Sequence, residues 1–214
     1  MPETRLSERL RAASAADWDA TIRHRFVREL CAGTVEPAVM RRYLVQDYQF
    51  IDRFVMLLGA AIASADHYPS RLRLAGFLAM ITSDENTYFQ RAFDALNVPI
   101  GERRAPALTE TTVGFQVLMA EAAQSRSYAQ CLAVLLVFEG IYLAWAERHT
   151  GPLPPDFVHA EWIRLHDNDF FRGFVGWLGA ELDRVGPAEE AACGRLFGRA
   201  VRLERQFFDD LYAK

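Results

Sequence analysis

The sequence predicts an all-α protein, and three observations carry that expectation. Apolar residues recur at three- and four-residue spacing along most of the chain, and no stretch alternates apolar and polar residues long enough to read as a strand. Prolines are few and fall between the long periodic segments, as punctuation near helix starts and ends. Hydrophobic residues make up 51% of the 214 positions and aromatics 12%, which supplies a sizeable core. A single helical domain over residues 1–214 is expected, because no linker, internal repeat or low-complexity tract interrupts the pattern.

In chain order, short helical pieces are expected over about 3–32. The segment "TVEPAVMRRYLVQDYQFIDRFVMLLGAAIASA" places a threonine and an acid before Pro37, as a helix entry should, and predicts a helix over about 37–65. Further helices are predicted over about 69–96, 107–124, 127–149, 156–167, 168–185 and 187–212, giving roughly seven to nine in all. The last begins with Pro187 and two acids, which favour a helix N-terminus. "NVPIGERRAPALTE" and "HTGPLPPDF" read as irregular loops. Several helices are apolar around much of their circumference, so they are expected to be central.

Charge and cysteine content exclude several classes. The net charge of -4 is spread evenly, with no basic stripe, so no nucleic-acid partner is expected. Cys31, Cys131 and Cys193 are odd in number and far apart, which argues against a disulfide framework and a paired-cysteine zinc site. The apolar runs fall short of the roughly 20 residues a spanning helix needs, and the N-terminus lacks a secretory pattern. A cytoplasmic setting without membrane association is the expectation. No glutamate has a histidine three residues on, so the paired Glu-x-x-His set of a di-iron centre is missing. Asp156 and His159 form one isolated Asp-x-x-His pair, and neither metal nor cofactor is expected. No Gly-rich phosphate loop or serine-hydrolase elbow is present.

The informative residues are polar ones in apolar places. In "LVQDYQFIDRFV", "LLVFEGIYLAW" and "RLERQFFDDLY" an acid is followed three residues later by an aromatic: Asp47 and Phe50, Glu139 and Tyr142, Glu204 and Phe207. "HAEWIRLHDNDFFRGF" adds Trp162, His166 and Phe170 on one helical stripe. If these faces converge, they line an aromatic cavity with three carboxylates and an imidazole, suited to a small ligand and to acid–base chemistry. The plain structural readings stand beside this one. Glu139 bonded to an arginine or tyrosine, Asp47 bonded to helix termini, a half-buried His166 and a solvated Glu204 would each need no function. Cys131 lies about 12 Å along its helix from Glu139, with no base beside it, so it reads as a core residue.

"YLVQDYQFIDRF", "LLVFEGIYLAWA", "EWIRLHDNDFFRGFVGWL" and "LERQFFDDLY", in this order, resemble the TenA family, the thiaminase II-like proteins, over about residues 15–212. The resemblance implies the haem-oxygenase-like helical bundle, assembled as a tetramer or dimer, without haem or metal. In the better-known branch the central helix reads Leu-Leu-Pro-Cys-x-Trp-x-Tyr and the cysteine is the nucleophile. Here the matching stretch is "LLVFEGIY": Phe138 takes the cysteine's place, Glu139 follows it, and Tyr142 matches the tyrosine. That pattern resembles a second branch lacking the cysteine and carrying a glutamate beside its position. His166 in "EWIRLH" resembles the same branch. Carried over, Asp47 holds the amino group and ring nitrogen of a pyrimidine, Glu204 is catalytic, and Phe207 covers the ring. Phe50 and Phe115 stand where the first branch has tyrosines.

The activity implied is hydrolysis of aminomethyl- or formylaminomethyl-pyrimidine to hydroxymethylpyrimidine in thiamin salvage, with Glu139 orienting or deprotonating water in place of the thiol. Two other readings are kept: residual thiaminase II activity, and a pyrimidine-binding protein that turns nothing over. An oxidase of the same fold, as in pyrroloquinoline quinone synthesis, ranks last because its acidic substrate calls for basic residues near the pocket.

Overall fold

The computed structural model describes residues 4–213, and among them the chain forms twelve α-helices, one π-helical turn, one 3₁₀ turn and no strand. The N-terminal helices are α1 (Leu6–Ala13), α2 (Ala15–Ile22) and α3 (Arg25–Ala32). The long α4 (Pro37–Ser64) follows, then α5 (Tyr68–Met80), the π turn Ile81–Glu85 and α6 (Asn86–Ala95). After the short α7 (Ile100–Arg104) come α8 (Glu110–Gln124), α9 (Tyr128–Ala146), α10 (Phe157–His166) and α11 (Asp169–Val185). A 3₁₀ turn, Gly186–Glu189, leads into α12 (Glu190–Asp210).

The structure corrects the expected layout at three places. The stretch expected as one helix over 69–96 is broken by the π turn, whose hydroxyls Thr82 and Ser83 bond back to the carbonyls of Leu78 and Ala79 at 2.9 and 2.7 Å. The loop read as irregular contains α7, a helix too short for periodicity to reveal. The last helix starts later than expected, because Pro187 and Glu189 lie in the 3₁₀ turn. Helix starts elsewhere follow side-chain caps: Thr109 for α8, Ser127 for α9, Asp156 for α10 and Asn168 for α11 each accept a backbone N–H of the first turn. Asp156, half of the isolated Asp-x-x-His pair, is thus a cap.

The bundle is arranged around α9. Its 19 residues are apolar enough to cross a membrane by length and composition, yet 83% of its most apolar window is buried inside the protein. Helices α4, α8, α10, α11 and α12 surround it, with α2 lying across one side. Such a helix has no solvent face to keep polar, which is why its sequence shows no amphipathic stripe. The approach of α2 is close enough to require glycine: a Cβ at Gly140 would lie 3.1 Å from Cη2 of Trp18, whose ring stacks on Phe197 of α12.

A second buried polar cluster pins α11 to its neighbours. Glu181 accepts from Ser70 Oγ at 2.8 Å and Tyr128 Oη at 2.9 Å, and Arg184 donates to both its oxygens at 3.0 and 2.8 Å. Arg184 also donates to both oxygens of Asp66. Asp66, His67 and Glu181 bring donor atoms within 4.8 Å of one another, but the guanidinium already occupies the cation's role there.

With the Trp18 ring 3.1 Å from where the added methyl would sit, Gly140→Ala is expected to destabilise the fold by about 1–3 kcal/mol through overpacking. Urea denaturation of the purified variant checks this; an unchanged midpoint would mean that α2 has room to shift.

Candidate active site

A cavity with about 530 Å³ of atom-free space, its mouth included, opens between α4, the π turn, α8, α9, α10 and α12. The nine residues to which the sequence resemblance gave a place in the site lie on its wall. Asp47 and Phe50 come from α4, Phe115 from α8, Phe138, Glu139 and Tyr142 from α9, His166 from α10, and Glu204 and Phe207 from α12. Phe170 does not join them: it is 53% exposed, because α10 ends at His166 and the stripe turns away at the new helix.

One end of the cavity is a box of phenyl rings. Phe138 meets Phe50 and Phe115 edge-on at 4.9 and 5.5 Å between centroids, and Phe115 meets Phe207 at 5.7 Å. Flat apolar walls of this kind suit a planar ring sandwiched edge-to-face. The other end is polar. Trp162 Nε1 donates to Tyr43 Oη at 3.0 Å, and Tyr43 and Tyr142 share a proton between hydroxyls 2.9 Å apart. Tyr43 lies one turn before Asp47 on α4, and its hydroxyl partly offsets the rise of the Asp47 pKa. His166 Nδ1 lies 2.8 Å from the Trp162 carbonyl oxygen. A carbonyl only accepts, so Nδ1 carries the proton and Nε2 is left as an acceptor. Burial pushes the His166 pKa down to about 4, so the ring is neutral.

Four carboxylates face this space, and the sequence reasoning named only three. The fourth is Glu85, the last residue of the π turn. Among the described residues no lysine or arginine lines the cavity. Glu85 and Glu139 have no hydrogen bond or ion pair there, and Oε2 of Glu204 is buried without a partner. The structural explanations for Glu139 and Asp47 through arginines or helix termini therefore do not hold, and Glu204, 2% exposed, is not solvated. Burial, the largest cause, raises the pKa of Asp47 to about 8 despite the Tyr43 hydroxyl. Burial and then the Asp47 charge raise Glu85 to about 8. Glu139 and Glu204 are pushed well above the usual carboxylate range by burial, with neighbouring carboxylates adding to it. The empty cavity thus stores protons on acids that water would ionise.

Sequence reasoning missed Glu85 because "TSDEN" reads as an exposed acidic turn, and only the π geometry turns its last acid inward. It missed Tyr43 because a tyrosine on an apolar face looks like core. Gln46 also lines the cavity, but its amide is spent on α8: Oε1 accepts from Thr109 N and Thr112 Oγ1, and Nε2 donates to the Ala107 carbonyl. No cysteine lines the cavity. Cys131 Sγ sits 3.5 Å from the Ala122 carbonyl, and burial pushes its thiol up to about 12, so it is inert.

The sequence profile of the TENA/THI-4/PQQC family matches residues 11–214. An aminopyrimidine aminohydrolase of Halalkalibacterium halodurans is 23% identical over 201 residues, covering 91% of this chain and 90% of its own. An aminopyrimidine aminohydrolase of Bacillus subtilis is 25% identical over 170 residues, covering 78% and 71%. Among solved structures, a TenA homologue from P. horikoshii OT3 superposes with a TM-score of 0.87 at 20% identity, covering 98% of this chain and 99% of the other. The fold is the all-α, haem-oxygenase-like arrangement of those homologues.

The raised carboxyl pKa values have a stability consequence. Asp47 and Glu85 titrate near 4 when unfolded and near 8 when folded, so the folded state binds more protons across that interval, and the stability their protonation supplies is lost as pH rises through it. His166, with a folded pKa below its unfolded one, acts oppositely, losing stability as pH falls from about 6.5 towards 4. Asp47→Asn is therefore expected to stabilise the ligand-free protein at pH 8 by at least about 1 kcal/mol, roughly one pKa unit's worth, and to show little gain at pH 4. Thermal unfolding at the two pH values checks this; equal shifts at both would contradict it.

Proposed function

The chain belongs to the TENA/THI-4/PQQC family, and we propose that it is a hydrolase of thiamin salvage, converting aminomethyl- or formylaminomethyl-pyrimidine to hydroxymethylpyrimidine. The observation that carries this reading is the unpaired, buried Glu139 beside Phe138 in a cavity that joins a phenyl box to three further carboxylates. The aminohydrolase activity of the two relatives supports it.

In this reading the pyrimidine lies in the phenyl box, with Phe207 over the ring. Asp47 accepts from the exocyclic amine. Glu204, kept protonated by burial, donates to a ring nitrogen and draws electrons out of the ring. Water then brings the hydroxyl to the methylene carbon. Its proton passes to the Glu139 carboxylate as the carbon–nitrogen bond breaks and the nitrogen takes the bonding pair, leaving as ammonia when the substrate entered as an ammonium, or as formamide, with the proton relayed by Glu139, when it entered as the formylamino compound. A glutamate with a raised pKa is a competent base for this step once ionised. His166 Nε2 and Tyr142 lie on the same wall and can orient the water.

In the same reading the chain is a member of the cysteine-lacking, glutamate-containing branch. Phe138 at the nucleophile's position, and the burial of Cys131 away from the cavity, support hydrolysis of the salvaged pyrimidine over cleavage of thiamin itself. The absence of hydroxyls at Phe50 and Phe115 favours one other reading, binding without turnover. Assembly as a tetramer or dimer, in the cytoplasm, belongs to the same proposal. Exposed apolar side chains such as Met56, Tyr68, Leu72 and Val117 offer surface for assembly, and sedimentation equilibrium would give the mass.

Glu139→Gln is expected to lower ammonia release from aminomethyl-pyrimidine by at least about 100-fold, the scale of a lost general base, with the fold intact by circular dichroism. Unchanged turnover would sink the assigned role. Cys131→Ala is expected to leave the rate within about twofold, since a surface or core change away from the site alters little beyond stability; loss of activity there would revive a thiol mechanism. Wild-type protein that purifies with a ring compound yet releases no ammonia would favour the binding-only reading.

A further inference from the structure

Glu85 is the cavity's least explained acid. The hydrolytic mechanism does not use it, and no protein group satisfies it among the described residues. It reaches the cavity only because the chain makes a π turn. Each such turn holds one residue more than an α turn, which rotates the residues after it by about 100°. Here Ile81 and Glu85 face inward while Thr82, Ser83 and Asp84 remain exposed. An irregular turn and a buried unpaired carboxyl are both costly.

The location of Glu85 within the cavity identifies what it faces. Glu85 shares the cavity wall with Asp47, the acid proposed to hold the exocyclic amine, and with Glu139, the acid proposed to handle water. The Asp47 charge adds to burial in raising the Glu85 pKa, and the Glu85 charge adds to burial in raising that of Glu139. On a pyrimidine seated by Asp47, the substituent next to the exocyclic amine is the methylene that carries the leaving nitrogen. With no arginine or lysine among the described residues of the wall, that nitrogen is the natural cation to answer the carboxylates.

We propose that Glu85 is a specificity-determining residue whose carboxylate receives the substrate's ammonium group, so that the cavity selects the aminomethyl-pyrimidine over its neutral formylaminomethyl and hydroxymethyl counterparts. This rests on the pyrimidine reading of the site. It has a consequence for turnover: the product carries a neutral hydroxyl where the substrate carried a cation, so the product loses the ion pair and leaves. In the empty site Glu85 is protonated below about pH 8, and a bound cation ionises it, so ammonium binding expels a proton. The titratable groups that face it are Asp47 from α4, Glu139 and Tyr142 from α9, His166 from α10 and Glu204 from α12.

The test compares calorimetric binding of aminomethyl- and hydroxymethyl-pyrimidine in the Glu139→Gln background, where no turnover intrudes, with and without Glu85→Gln. The aminomethyl compound is expected to bind at least about tenfold tighter at pH 8, a preference that shrinks towards pH 6 by up to about tenfold per unit. Glu85→Gln is expected to bring the two ligands within about threefold while hydroxymethyl binding persists. An unchanged preference in that variant, or none without it, overturns the proposal. Should Glu85→Gln bind neither ligand, titrations of the parent in two buffers of different ionisation enthalpy decide: about one extra proton released by the aminomethyl compound supports it, and equal counts overturn it. Ammonia release by the wild-type protein separates the two ideas, because a silent assay with an intact preference removes the hydrolase reading and keeps the cation site.

Discussion

Everything else in the molecule answers to α9 having no face left for water. A helix buried on all sides has to be covered by partners on every side, and five helices together with α2 do that here. Its polar residues then have two outcomes: a partner within the core, or an internal space. Glu139 takes the second. Gly140 follows from the same constraint, since α2 closes against α9 so tightly that a Cβ there would lie 3.1 Å from the Trp18 ring. The position of the cavity is therefore set by helix packing, with the carboxylate at its wall rather than in its mouth.

The cavity's electrostatics follow from that placement. Four buried acids, with no lysine or arginine among the described residues of the wall and a His166 that burial keeps neutral, cannot all be ionised, because like charges in a dry space disfavour one another. The protein holds them as a proton store. This contrasts with the buried Glu181, where Arg184 supplies the compensating charge and Ser70 and Tyr128 fill the remaining acceptor positions. The two clusters are opposite kinds of burial within one chain. A structural carboxylate is surrounded by donors and its pKa falls, as Glu181's does, chiefly through Arg184. The cavity acids are short of donors and their pKa values rise.

That distinction also explains what was legible in the sequence. The helices of the bundle were readable from proline placement and apolar periodicity, and Asp47, Glu139 and Glu204 were readable because each carries an aromatic three residues on, in an apolar helix or one of matching motif. Their convergence was not readable from spacing alone; it depends on which faces of α4, α9 and α12 meet. Glu85 was invisible for a sharper reason. Helical periodicity assumes 3.6 residues per turn, and a π turn breaks that assumption at the residue that matters. Tyr43 was hidden in the opposite way: its ring sits in the core as its neighbours suggest, and only the hydroxyl, bonded to Tyr142 and Trp162, ties it to the site.

Phe138 sharpens the chemical question. A thiol at that position would attack a ring already polarised by acids around it, and a phenyl ring cannot. Yet Phe138 is not idle filler, because it closes the phenyl box against Phe50 and Phe115. Under the proposed reading, a wall in the nucleophile's place leaves water as the attacking group. Glu139, one residue further along the same helix, lies on the cavity wall with three other carboxyls. A buried glutamate with a raised pKa holds a proton until a cation or a reacting water makes ionisation favourable. An ammonium substrate would supply that cation as it binds, so the ligand itself would ready the base that acts on it.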